Sequence, residues 1–280
     1  MFQHFLITRF NLRKKSWNTT RNNSQVLTDE WMENRLKLFE NFCYASVQKQ
    51  TNTNFQWLVF FDKETDEKFR VIIEKLAKQF SLFIPIYIDG MDAFLPAIKE
   101  EISKQLTQPY LITSRLDNDD CLSENYIEEV QKQFDKQDFM AIDYIDGYTL
   151  QIEPEVKLGK RTHLHNPFIT LIEKSDTWET VWSRERHGEW SKVKQLKTIR
   201  YTYIWMSIIH GENKANDFVG FGQVNWNEVE TFHMDAVQLK ALKSHTLPVS
   251  QWRIESIRNQ LRTYWKVTFK LLKRRLRLNV

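Results

Sequence analysis

YLITSRLDNDD, residues 110–120, runs a short apolar stretch straight into a cluster of acids. Tyr110-Leu111-Ile112-Thr113-Ser114 reads as a buried strand, and Arg115-Leu116-Asp117-Asn118-Asp119-Asp120 as the turn at its carboxyl end. The flanking segments say which sheet that strand joins. Upstream, Leu82 to Ile88 is a strand and Asp92 to Leu106 a helix. Before them Phe55-Gln56-Trp57-Leu58-Val59-Phe60-Phe61, closed by Asp62, is apolar along nearly its whole length, as a strand covered on both faces must be. Thr65 to Gln79 is helical.

Phe2 to Thr8 is a first strand ending at Arg9, followed by a polar loop from Asn11 to Thr28. Trp31, Arg35, Leu38, Phe39, Phe42 and Val47 then fall near a helical period, with Thr28 or Asp29 placed to cap. Downstream come a helix from Glu124 to Phe134 and a strand at Phe139-Met140-Ala141-Ile142. Strands alternating with helices predict an α/β fold with right-handed crossovers and a mostly parallel sheet over residues 1–145. From Asp146-Gly147, read as a turn, the pattern turns irregular. Tyr148 to Ile152, Phe168 to Ile172 and Thr202 to His210 are its apolar stretches, with Trp178, Trp182 and Trp190 among charged residues. Residues 146–250 read as a substrate-side region added to the sheet, and residues 251–280 as a helical tail.

Ligands of open α/β sheets bind at the carboxyl ends of the strands, where Asp117 to Asp120 fall. Three acids within four residues repel unless something positive sits between them. A divalent, oxygen-preferring ion, Mn²⁺ or Mg²⁺, would supply that charge and bridge to a diphosphate, with Arg115 fixing the turn. The plain alternative is a solvated turn that caps the helix starting near Ser123.

Six stretches in order give the chain a family resemblance: HFLITRFN at 4–11, the segment from Trp31 through Arg35 and Phe39 to Gln50, NFQWLVFFD at 54–62, LITSRLDNDD at 111–120, HNPFITLIE at 165–173 and WMSIIHGEN at 205–213. With them the chain resembles the bacterial rhamnosyltransferases of the GT-A class of glycosyltransferases. The resemblance implies a GT-A-like (Rossmann-like) sheet, a nucleotide-sugar donor, and Asp117 and Asp119 as the Asp-x-Asp pair that holds metal and diphosphate. It further implies Arg9 facing the nucleotide, Asp62 on base or ribose, and His210 completing the metal shell, with Asn213 near the same ligand. Asp62 as a cap of the following helix, and His210 as a satisfied helix-end histidine, are the structural alternatives. An inverting enzyme also needs a base for the acceptor hydroxyl. Glu173 is the preferred one, with Glu189 and Asp143 in reserve. His163 and His165 lack a third ligand at zinc spacing, and the basic residues from Arg9 to Arg21 form a loop that closes over diphosphate or stays solvated. The three tryptophans are either a sugar platform or core.

Charge and composition narrow the classes. From Trp252 to Val280 nine basic residues face one acid, Glu255, so the +4 chain has a body of −4 and a tail of +8. An acidic body argues against nucleic acid as a partner. Cys43 and Cys121 give no disulfide framework, and no apolar run is long enough to span a bilayer. A cytoplasmic enzyme is expected, at the inner face of the cell membrane if the tail docks there. Ile254, Ile257, Leu261, Trp265, Leu272 and Leu276 share one side of a helix, with Arg258, Arg262, Lys266, Lys270, Lys273 and Arg277 beside them. That stripe either lies on an anionic membrane or packs on the body. The leading function is transfer of a sugar from a nucleotide sugar to the hydroxyl of a glycan or lipid-linked glycan. A metal-dependent phosphodiester hydrolase and a membrane-associated adaptor are the alternatives.

Overall fold

The computed structural model describes residues 1–14, 27–184, 186–213 and 217–275. Arg21, Leu276 and Arg277, named above, lie outside them. Strand β1 (Phe2–Arg9) is followed by α1 (Asp29–Leu38), whose cap Thr28 accepts from Trp31 N at 3.2 Å. A π-helical turn (Phe39–Tyr44) continues α1 into α2 (Ala45–Gln48). Then come β2 (Gln56–Asp62), α3 (Glu67–Gln79), β3 (Phe83–Ile88), α4 (Phe94–Gln105), β4 (Tyr110–Arg115), β5 (Cys121–Leu122), α5 (Tyr126–Gln131) and β6 (Phe139–Tyr144). The second half contributes β7 (Asp146–Gln151), β8 (Lys157–Thr162), β9 (Thr170–Lys174), β10 (Leu196–Ile199), β11 (Trp205–Ile209), α6 (Ala236–His245) and α7 (Arg253–Arg275).

The larger sheet has the order β10-β6-β9-β4-β1-β2-β3, parallel throughout except for β9. The expected mostly parallel sheet flanked by helices is therefore present. In β2, Trp57 to Phe61 are all fully buried, as a strand covered on both faces requires. Residues from 146 on complete this sheet with β9 and β10 and, together with β5 from the first half, form a second one, β5-β11-β7-β8.

Asp146-Gly147 is not a turn, as the sequence pattern suggested, but the start of β7. The chain crosses from one sheet to the other at the buried Ile145. Asp146 is held by Thr162 Oγ1 at 2.6 Å and Tyr201 N at 2.8 Å. Gly147 is there for space, because a Cβ at that position would lie 2.4 Å from the Trp205 ring.

Candidate active site

The acidic turn leaves β4 at the carboxyl end of the parallel strands and is stitched to the end of β1. Leu116 N donates to Ile7 O at 3.2 Å, and Asn118 Nδ2 donates to Phe10 O at 3.0 Å and Arg9 O at 3.3 Å. Asn118 thus holds the turn in place. The three carboxylates then separate in role. Asp120 points into the second sheet and accepts from Ile208 N at 2.9 Å. Burial and the charges of Asp119 and Asp117 push its pKa well up. Asp117 is the most open of the three, its side chain 29% exposed and 3.5 Å from Arg115 Nη2.

Asp119 sits where the two sheets meet. Its Oδ2 accepts from Arg35 Nη1 at 2.8 Å, His210 Nε2 at 2.9 Å and Asn213 Nδ2 at 3.3 Å. Burial alone would raise its pKa, but Arg35 and His210 outweigh burial and hold the carboxyl well below its ordinary range. Asn213 Oδ1 accepts from His210 N at 2.7 Å, which closes the turn after β11 and sets the ring. The structure therefore brings Asp119, His210 and Asn213 together, across more than ninety residues of chain.

Arg35 was visible in sequence as a member of the α1 stripe and of one of the six resembling stretches, with no site role attached. It is buried at 6% exposure, lies over the Trp31 ring at 5.1 Å and bonds Asn118 as well as Asp119. Its signal was a cation on an otherwise apolar helix face, which needs a buried partner. Its presence also weakens the premise that the acids require a metal for charge balance: Asp117 has Arg115, Asp119 has Arg35, and Arg161 acts on Asp120. Among the described residues no three His, Cys, Asp or Glu groups converge on one point. Asp119 Oδ1, which makes no hydrogen bond among the described residues, remains as an oxygen donor, with Asp117 beside it in sequence. Such a partial set fits Mn²⁺ or Mg²⁺ only if substrate phosphates complete the shell, the usual arrangement for Mg²⁺.

A family model described as Putative rhamnosyl transferase matches residues 3–220. The chain belongs to that family. No curated protein matches the sequence. Among solved structures, S. aureus TarS 1–349 in complex with UDP-GlcNAc is similar at 10% identity and a TM-score of 0.41, over 76% of this chain and 60% of that one. The mannosyltransferase PcManGT from Pyrobaculum calidifontis, in complex with GDP-Man and Mn²⁺, gives 7% and 0.43 over 76% and 58%. The glycosyltransferase GlyE of Streptococcus pneumoniae TIGR4 gives 11% and 0.35 over 89% and 66%. The chain thus spans about 60% of the TarS chain it matches.

Other residues of this transferase-family chain fall into place around the turn. Arg9 and Arg115 lie over one ring, that of Trp182, at 5.3 and 3.9 Å, so both guanidinium groups are gathered at the ends of β1 and β4. Asp62 closes the turn after β2, accepting from Glu64 N and Arg13 N at 3.0 Å each, and pairs with Arg13 Nε at 2.9 Å. It also lines a cavity of about 180 Å³ with Asn11, Arg13, Thr65 and Phe69. Trp182 and Trp190 are core residues at 3% and 0% exposure, and the half-buried Trp178 packs against the cluster that contains them, so the sugar-platform reading gives way to the core one.

Glu173 is not at the site. Strand β9 runs antiparallel, and Glu173 pairs with Leu111 near the start of β4, at the opposite end of the strands from the acidic turn. Its two oxygens accept from Glu179 N at 2.8 Å and Thr180 N at 3.0 Å. Burial pushes its pKa up to about 7. The sequence showed an acid at a strand end but not which way the strand ran. Asp143, one of the reserves, is fully buried and bonded to His165 N at 2.7 Å and Asn166 Nδ2 at 3.0 Å. His163 and His165 are both held neutral by burial, and Arg161 Nη2 is 3.4 Å from His163 Nδ1.

His187 escaped the sequence reading because its segment has no periodicity. Its Nδ1 bonds the His165 carbonyl, which places the proton on Nδ1 and the lone pair on Nε2. Burial lowers its pKa, and the charges of Arg115 and Asp117 reach it. Beyond Arg161, which donates to Ser207 Oγ at 2.6 Å, lies a cavity of about 330 Å³ between β8 and α7. Its lining is mainly basic, with Arg161, Arg262, Lys266 and Lys270 against one acid, Asp217.

Proposed function

We propose that the chain transfers a sugar from a nucleotide sugar to a carbohydrate hydroxyl, with inversion, at the crevice around Asp117 and Asp119. The meeting of Asp119 with His210 and Asn213 at the strand ends, in a chain of a glycosyl transferase family, carries this reading. Family membership favours sugar transfer over phosphodiester cleavage or a non-catalytic adaptor.

In this reading Arg35 fixes the Asp119 carboxylate, and Asp117 and Asp119 would hold Mn²⁺ or Mg²⁺ on the donor side of the crevice. The ion would offset the charge that builds on the departing diphosphate. Arg9 and Arg115, gathered on Trp182, supply further positive charge to that group. The base and ribose occupy the cavity beside Asp62 and Arg13. His187 takes the part that Glu173 cannot. Its neutral ring has the Nε2 lone pair needed to accept the proton of the acceptor hydroxyl. The acceptor, a glycan or lipid-linked glycan, enters through the basic cavity between β8 and α7, which suits a phosphate-bearing molecule.

The test is binding of UDP-, dTDP- and GDP-sugars with and without Mn²⁺, followed by nucleoside diphosphate release. At least one donor binds, metal strengthens it, and Asp119→Asn removes it. A chain that ignores every donor with metal present refutes the reading, and equal metal-free binding in both proteins refutes the role of Asp119.

A further inference from the structure

Helix α7 meets the body with one face. Ser256, Asn259 and Val267 are buried. Asn259 Nδ2 donates to Gly220 O at 3.1 Å, Ser256 Oγ accepts from Gly222 N at 2.9 Å, and Arg274 Nη2 donates to Leu196 O at 2.9 Å. This is not the stripe that the sequence offered for docking. The predicted apolar side is turned away, about 180° round the helix from the docked one. It carries Ile254, Leu261, Trp265 and Leu272, at 86, 66, 67 and 50% exposure, flanked by Ile257 and Phe269. Of the twelve large apolar side chains exposed among the described residues, seven are on α7, so the stripe is no scatter of single residues.

The stripe is ordered and bordered by cations. The Trp265 and Phe269 rings stack at 5.4 Å with planes 5° apart, and Lys273 Nζ is 4.9 Å from the Phe269 ring. Arg258, Arg262 and Lys266 run along its side. Eight basic residues of α7 face one acid, Glu255, which is paired with Lys157 at 3.0 Å. Among the described residues no helix is long and apolar enough to cross a membrane.

We propose that α7 lies in the plane of an anionic lipid surface, with Ile254, Leu261, Trp265 and Leu272 at the acyl margin and its cations on the headgroups. Charge selects the occupant. A second copy would set one strongly basic helix against another, whereas an anionic bilayer meets the apolar stripe and the cations together. The docked face keeps the body on the aqueous side, and the basic cavity beside Lys266 and Lys270 then opens next to the surface.

The full chain is sedimented with phosphatidylcholine vesicles, with and without phosphatidylglycerol, at low and high salt. It should pellet with the anionic vesicles alone, and less at high salt. The triple variant L261Q/W265Q/L272Q alters only exposed side chains, so it should keep the wild-type melting temperature while its vesicle affinity falls at least about tenfold. Equal binding to neutral vesicles, unchanged binding by the triple variant, or no binding by the wild type each overturns the proposal. So does a vesicle-indifferent dimer, seen by light scattering, that the triple variant dissolves. Nucleotide-sugar binding measured on the same samples reports on the proposed function independently.

Discussion

Replacing Arg35 by methionine keeps an unbranched apolar stem on Trp31 and removes the guanidinium from Asp119 and Asn118. Asp119 is then left with His210 and Asn213, its side chain 13% exposed. Removing one partner of a buried ion pair typically costs about 3–5 kcal/mol. Two remaining donors put the expected loss at the lower end, about 3 kcal/mol. With unfolding entropy of about 2.1 cal/mol/K per residue, a chain of this length should melt ~5 °C lower. Calorimetry or urea unfolding measures it. Asp119→Asn in the same background removes the orphaned charge, so the double variant should be less destabilised than the two single losses summed, by about 2 kcal/mol. Wild-type melting in Arg35→Met, or strict additivity in the double variant, would show that Arg35 does not hold Asp119 and refute the reasoning.

Glu173 offers a pH test. Its folded pKa of about 7 lies above the ordinary 4.5, so the folded state binds the extra proton between those values. Its contribution to stability is therefore full below about pH 4.5 and lost as pH rises through 7. The unfolding free energy of wild type relative to Glu173→Gln should fall by about 3 kcal/mol across that window, and a flat difference would contradict the burial argument. The same variant should retain donor turnover, since Glu173 sits at the wrong end of the sheet; a loss of activity without a loss of fold would restore it as a base. His187→Gln should lower turnover by roughly a hundredfold or more while leaving donor affinity intact, measured by nucleoside diphosphate release against direct binding. Gly147→Ala forces a Cβ into the Trp205 ring, and should cost at least ~1–3 kcal/mol in urea unfolding.

Much of the fold was legible because strand and helix periods are local properties. The buried run at Trp57–Phe61, the cap at Thr28 and the alternation up to β6 are set by neighbours in sequence, and they appear where expected. So is the acidic turn after β4, since a strand that ends in acids must present them at its edge. The amphipathic wheel of α7 was equally readable, because it needs only the rise and twist of a helix.

Strand direction, packing partners and long-range pairs were not. Glu173 ends an apolar run as convincingly as Asp62 does, yet β9 runs against β4, and that reversal places it at the far end of the strands. The apolar stripe of α7 suited either a membrane or the body, and only the structure shows that the body takes the opposite face through Gly220, Gly222 and Leu196. The arginine that balances Asp119 comes from α1, eighty-four residues away. Up to β6 the sequence by itself determined which residues are strand, helix and acidic turn, because those follow from contacts a few residues apart. Only the tertiary structure decided which charges meet, since a pair such as Arg35 and Asp119 exists when the sheet order brings distant elements together and burial removes water as the competing partner.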